Sequence, residues 1–116
     1  MATNQALPPA CLDALEAHLE AGLFQALCDP VRLSLVAHLA ASGRALTVTE
    51  ASRCCGIHLS GVSRHLGLLR RAGVVVAEKR GREVHYRLEI AALSSTLRGL
   101  ADALEVCWEQ GQRESA

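Results

Sequence analysis

Apolar and polar positions alternate with a helical rhythm over most of the chain, and with a two-residue rhythm in one short stretch. From Ala10 the apolar residues Leu12, Leu15, Leu19, Leu23 and Leu27 fit one or two helices, with Gly22 as the expected break. Asp29-Pro30 has the chemistry of a helix start, aspartate as N-cap and proline at the first helical position. The helix it opens, residues 30–42, buries Val31, Leu35 and Leu39 and stops at Gly43. Thr47 and Glu50 stand at capping-box spacing and predict a short helix to Cys55, ended by Gly56. Residues 59–73, LSGVSRHLGLLRRAG, place Val62, Leu66 and Leu69 on one stripe, with Ser60 as the expected N-cap and Gly73 as the stop. The period then changes: residues 74–79 and 83–88 alternate as two strands around Arg80-Gly81-Arg82. A last helix from Ile90 to about Gln110 carries apolar residues at 90, 93, 97, 100, 104 and 107, a heptad-like seam. Arg98 and Asp102 pair across its outer face.

This order predicts a mostly α fold with a β-hairpin wing, a winged helix-turn-helix that dimerises through its first and last helices. The last helix closing the monomer's own core is the alternative. The expected organisation is an arm over residues 1–9, one domain over 10–110 and a tail over 111–116.

Composition narrows the picture. Of 116 residues half are hydrophobic but only 3% aromatic, so the core must be built from Leu, Val and Ala. Such a small single core often completes its burial by oligomerising. The formal net charge is zero, yet the charges are segregated. Residues 60–87 hold Arg64, Arg70, Arg71, Lys79, Arg80, Arg82 and Arg87 against Glu78 and Glu83, a net +5, and the remainder is −5. One basic third suits a polyanion. The first residues lack a secretion signal and no apolar run approaches membrane-spanning length, so a reducing cytoplasm and no membrane partner are expected.

The basic third includes a helix face. At about 100° per residue, Ser60, Arg64, Gly67 and Arg71 lie opposite the buried stripe, with Ser63 at the edge. Short hydroxyls, a glycine and two arginines can approach a phosphate backbone closely and still reach base edges. The arginines of the hairpin can reach an adjacent groove or phosphates.

Three stretches together resemble the ArsR/SmtB family of winged-helix repressors that respond to metals and metalloids: LFQALCDPVRLSLVAHL, GVSRHLGLLRRAGVV and EKRGREVHYRL. The resemblance runs from about residue 23 to 104. It implies a homodimer that binds an operator in double-stranded DNA, expected to be an inverted repeat, and releases it when an effector arrives. The family's recognition-helix contacts carry onto Ser60, Ser63, Arg64 and His65, and its wing contacts onto residues 79–82, with Lys79, Arg80 and Arg82 as the cations. His65 lies nearer the buried edge and suits a structural or phosphate-contacting role. Two familiar effector sites are missing. The cysteine cluster that arsenic and cadmium sensors often carry falls on Thr47 and Thr49, and the zinc sensors' ligand positions on the last helix fall on Ile90, Ala92, Ala103 and Val106.

The five cysteines, at 11, 28, 54, 55 and 107, offer a different site. An odd, scattered set does not read as a secreted disulfide framework. Thiolates select soft ions such as As(III), Sb(III), Hg(II), Cd(II) or Pb(II). Cys54 and Cys55 are the leading ligands, since two consecutive cysteines beside a turn cannot both face the core. Cys107 is the first choice for a third thiol and Cys11 the second, from either subunit; packing is an equal reading of Cys107. Cys28 suits packing, and His58 is the one histidine close to the pair. No organic cofactor is expected. A thiol-redox or reactive-sulfur switch on the same fold is the alternative. A thiol enzyme lacks a C-x-x-C motif, a phosphate-cradling loop and the length for a substrate pocket, and a purely protein-binding winged helix leaves the basic third unexplained.

Overall fold

In the computed structural model the described residues are 9–53 and 55–115. They form two compact units: one is Ala21–Ala92, and the other comprises the stretches up to Glu20 and from Leu93 onward.

The Ala21–Ala92 unit contains α2 (Ala21–Leu27), α3 (Pro30–Ser42), β1 (Leu46–Thr47), α4 (Val48–Ser52), α5 (Leu59–Arg71), β2 (Val75–Arg80) and β3 (Glu83–Leu88). Asp29 caps α3 as its sequence suggests, with Oδ1 accepting from the amides of Val31 at 2.8 Å and Arg32 at 3.2 Å. The capping box of α4 is realised in both directions: Glu50 N–H donates to Thr47 Oγ1 at 3.2 Å, and Thr47 N–H donates to Glu50 Oε1 at 2.9 Å. Gly73, at φ 80°, ends the turn after α5 in the left-handed region. Its amide donates to Arg70 O at 3.0 Å and that of Val74 to Leu69 O at 2.9 Å. Those two bonds make a Schellman motif, sealed by the buried pair Val74 and Leu69.

The sheet order is β1-β3-β2, antiparallel throughout, with Leu46 opposite Tyr86 and Val75 opposite Leu88. β2 and β3 are joined by Gly81-Arg82, with Gly81 at φ 65°. Glycine at the first central position of a two-residue loop matches the right-handed twist of the strands. Leu35, Leu39, Leu46, Val62, Leu66, Leu69, Val74 and Val75 are all buried, and they pack α3 and α5 onto the sheet. Each such side chain stabilises the fold by about 1.5–3 kcal/mol.

Four boundaries differ from the sequence expectation. The break between the first helices falls at Leu19-Glu20, and Gly22 lies inside α2. α4 stops at Ser52, which leaves Cys55 in a turn whose amide donates to Ser52 O at 3.2 Å. α5 begins two residues earlier than a Ser60 cap implies, at Leu59, and is capped by His58. The two-residue strand β1, which has too few residues to show a period, was not anticipated; it overlaps the Thr47 cap and pairs with β3.

The second unit contains α1 (Pro9–His18) and most of α6 (Ile90–Ser115). α6 continues through residues 111–115, where a tail was expected. No residue of α6 is fully buried. Its seam divides in two: Leu93, Leu100 and Cys107 are half-buried, whereas Ile90, Leu97 and Leu104 are exposed. Among the described residues no helix is long and apolar enough to cross a membrane.

Candidate nucleic-acid interface

α5 turns one stripe inward and leaves the other open. Val62, Leu66 and Leu69 have no accessible surface. Ser60, Ser63, Arg64 and Arg71 are exposed, and so is Arg70. Gly67 is half-buried, and a Cβ built there would meet nothing within 4 Å, so the middle of this face is open. The predicted outer face therefore stands on the solvent side of α5.

The start of that face is held by His58. Its Nδ1 accepts from the backbone amide of Ser60 at 3.1 Å and lies 2.9 Å from Ser60 Oγ. The amide can only donate, so Nδ1 carries the lone pair and the Ser60 hydroxyl donates to it as well. His58 is thereby an α5 cap, and Ser60 arrives pre-oriented rather than acting as the cap itself.

His65 is half-buried, and its Nδ1 lies 3.1 Å from Arg32 Nη1. Arg32 also donates through Nε to Ala26 O, and through Nη2 to Gln25 O at 3.3 Å. Nothing in the sequence pattern singled out Arg32, which stands between the apolar positions Val31 and Leu35 of the same helix.

The wing divides the cations by face. Register pairs Val76 with Arg87, Glu78 with His85 and Arg80 with Glu83, so these side chains share one face of the ribbon. Glu78 Oε1 stands 3.3 Å from Arg87 Nε and 3.6 Å from Arg80 Nη2, and Arg87 Nη1 donates to Glu89 Oε1 at 2.7 Å. Lys79 belongs to the opposite face, with Val84, Ala77, Tyr86 and the buried Val75. Arg82 sits in the exposed turn. Among the described residues neither Lys79 nor Arg82 makes an ion pair, whereas the charge of Arg80 is partly offset. The alternation of the strands separates three cations that look equivalent in sequence.

At the foot of the wing a polar groove of about 470 Å³ is lined by Arg44, Thr49, Glu50, Arg53, Arg80 and His85 among others. Glu50 is held below the usual carboxylate range, chiefly by the donated Thr47 amide and then by Arg44 at 3.3 Å.

Of the thiols named as ligands, Cys55 is half-buried in the turn after α4 and Cys107 half-buried on α6; Cys54 lies outside the described residues. Cys55 and Cys107 are both disulfide-bonded, and Cys28 is an exposed free thiol. Among the described residues no group of three or more His, Cys, Asp or Glu side chains is placed to hold an ion.

Solved structures share this arrangement. An ArsR-like transcriptional regulator from Rhodococcus sp. superposes with a TM-score of 0.68 at 27% identity, over 82% of this chain and 86% of that one. A homodimeric winged helix-turn-helix DNA-binding domain from Mycobacterium bovis does so with a TM-score of 0.57 at 27% identity, over 81% and 83%. A capped short helix, a turn, a second helix with an open basic face and a hairpin beside it make this a winged helix-turn-helix protein. The family described as "Helix-turn-helix domain" matches residues 27–77, and the transcriptional regulator NmtR of Mycobacterium tuberculosis is 37% identical over 81 residues, 70% of this chain and 66% of that one. The chain belongs to the ArsR/SmtB family. It spans between about half and two thirds of the length of the first curated relatives it matches.

Proposed function

We propose that the protein is a homodimeric repressor that binds operator DNA through α5 and the wing, and lets go when a soft, thiophilic metal or metalloid binds its cysteine thiolates. The observation that carries the DNA-binding part is the open α5 face of Ser60, Ser63, Arg64 and Arg71, flanked by the wing cations Lys79 and Arg82, which make no ion pair among the described residues. Arg64, near the start of the helix, is the base reader, since an arginine fork matches guanine O6 and N7. Lys79 and Arg82 neutralise phosphates, Arg80 less fully because Glu78 shares its charge. The family's relatives include an arsenical resistance operon repressor of Escherichia coli and a cadmium sensor, CMTR, of Mycobacterium tuberculosis, which supports a metal-type effector.

For the effector, Cys54 and Cys55 are the primary ligands and Cys107 the third, supplied from either subunit. Because α4 ends at Ser52, Cys55 lies in a turn outside the helix, and once its disulfide is reduced its thiolate can take a soft ion. The turn leads directly into the His58 cap of α5. An ion bound there acts on DNA affinity only through a difference in its affinity for the two states of that turn, and 1–3 kcal/mol of coupling weakens binding roughly 5–150-fold. As(III), Sb(III) and Hg(II) suit such a site best, with Cd(II) and Pb(II) next.

A redox switch is the second reading, and the disulfide-bonded state of Cys55 and Cys107 favours it. The test is operator binding by fluorescence anisotropy under anaerobic conditions, titrated with each ion. Cys54→Ser and Cys55→Ser should bind DNA normally and stay bound when As(III) or Hg(II) is added. Release by an oxidant that is reversed by a non-chelating reductant, with no response to ions, would select the redox reading. Release of the double variant at wild-type ion concentrations would place the effector site elsewhere.

A further inference from the structure

Arg32 donates all its hydrogen bonds toward one corner of the fold. Nε and Nη2 reach the last carbonyls of α2, those of Ala26 and Gln25, and Nη1 reaches His65 Nδ1 on α5 at 3.1 Å. The amide of the same residue is taken by the Asp29 cap. A guanidinium has five donors and no acceptor, so the imidazole nitrogen facing it must accept. The ring proton of His65 is then on Nε2. Among the described residues no acceptor takes that N–H.

We propose that Arg32 is a positioning residue of the DNA interface: it orients His65 and fixes its tautomer, so that His65 presents a neutral Nε2–H donor to a backbone phosphate oxygen at the edge of α5. The inference rests on the DNA-binding reading above. His65 lies on the helix between the buried stripe and the exposed Arg64, the flank where a phosphate strand rather than a base edge would run. A donor-only group suits a phosphate, which is acceptor-only. Left without Arg32, the ring is free to rotate and to carry its proton on either nitrogen, and the contact is lost for part of the time.

The test is a double-mutant cycle on operator and random duplexes over a series of salt concentrations, with Arg32→Ala, His65→Ala, the pair, Arg32→Lys and His65→Gln. His65→Ala should bind about fivefold more weakly, the effect of one neutral hydrogen bond, and Arg32→Ala more weakly by up to the same factor. The pair should be no weaker than the weaker single variant, because both remove the same contact. The dependence of log K on log salt should keep its slope, since no phosphate-neutralising charge is lost. A slope smaller by about 0.9 in Arg32→Ala would mean that Arg32 itself meets a phosphate, and overturns the proposal. Losses that simply add would make Arg32 a fold residue only, and overturn it too. His65→Gln can accept through Oε1 and donate through Nε2, so it should bind within about twofold of wild type. If it falls as far as His65→Ala, the tautomer argument is wrong. Should Arg32→Ala fail to fold, Arg32→Lys takes its place in the cycle, since one ammonium cannot serve three acceptors in this fork geometry. Absence of operator binding by the wild type would instead sink the DNA-binding reading itself.

Discussion

The ring of His18 on α1 lies over Gly99 of α6: a Cβ on Gly99 would stand 2.6 Å from His18 Nε2 and 2.7 Å from Cδ2. His18 is anchored there because its Nδ1–H donates to Ala14 O at 2.8 Å, a carbonyl that can only accept. In an open helix interior, Gly→Ala stabilises by about 1 kcal/mol. At Gly99 the methyl displaces the ring and breaks a bond of similar worth, about 1 kcal/mol. Gly99→Ala is therefore expected to bring no gain in urea-denaturation midpoint, and the same change in a His18→Ala background to bring the full gain. Measurements at one fixed protein concentration decide it, and a plain gain in the single variant would show that His18 does not guard this position.

The α6 stripe of Leu97, Leu104 and Trp108, exposed to 42%, 49% and 71%, is apolar surface on a helix with no buried residue. Carboxylates placed there cost the monomer little, because the surface is already wet, but they cost a dimer seam heavily. Leu97→Glu/Leu104→Glu should sediment as a folded monomer at a micromolar concentration at which the proposed wild-type dimer persists. A variant that remains dimeric would move the interface to another surface.

On the wing, Lys79→Ala and Arg82→Ala should each lower the salt slope of DNA binding by about 0.9 and weaken operator and random DNA alike. Arg80→Ala should change the slope less, since Glu78 already shares its charge. Glu78→Gln should then strengthen binding. Three equal effects would mean that the ion pairs on the ribbon dissolve when DNA arrives.

Acid stability should report the two helix caps. The backbone amide of Arg32, and then that of Val31, hold the Asp29 carboxyl below the usual range, as the Thr47 amide and Arg44 do for Glu50. A depressed folded pKa adds stability that is fully present above the unfolded value, near about 4, and is lost as pH falls through the lowered folded value. The melting temperature should thus be level above roughly pH 5 and drop below pH 4. In Asp29→Asn, which keeps an accepting Oδ1, the drop should be shallower. An unchanged acid limb would assign it to other carboxylates.

Much of this fold was legible along the chain because its signals are local. A proline behind an aspartate, a Thr-x-x-Glu box and a glycine after Arg71-Ala72 act within four or five residues, and each appears where its chemistry requires. The buried stripe of α5 followed from periodicity alone, since a helix that turns Val62, Leu66 and Leu69 inward must turn Ser60, Arg64 and Arg71 outward. What sequence could not supply were relations between residues far apart in the chain. Arg32 meets His65 across 33 positions. His18 meets Gly99, and the apolar seam of α6 divides into a half-buried row and an exposed one. The wing cations differ in charge balance only because β2 and β3 pair in one register, which sets Arg80 beside Glu78 and Lys79 on the other face. Local chemistry determines where elements begin and end, whereas packing between elements determines which of several equivalent side chains is held, neutralised or left open.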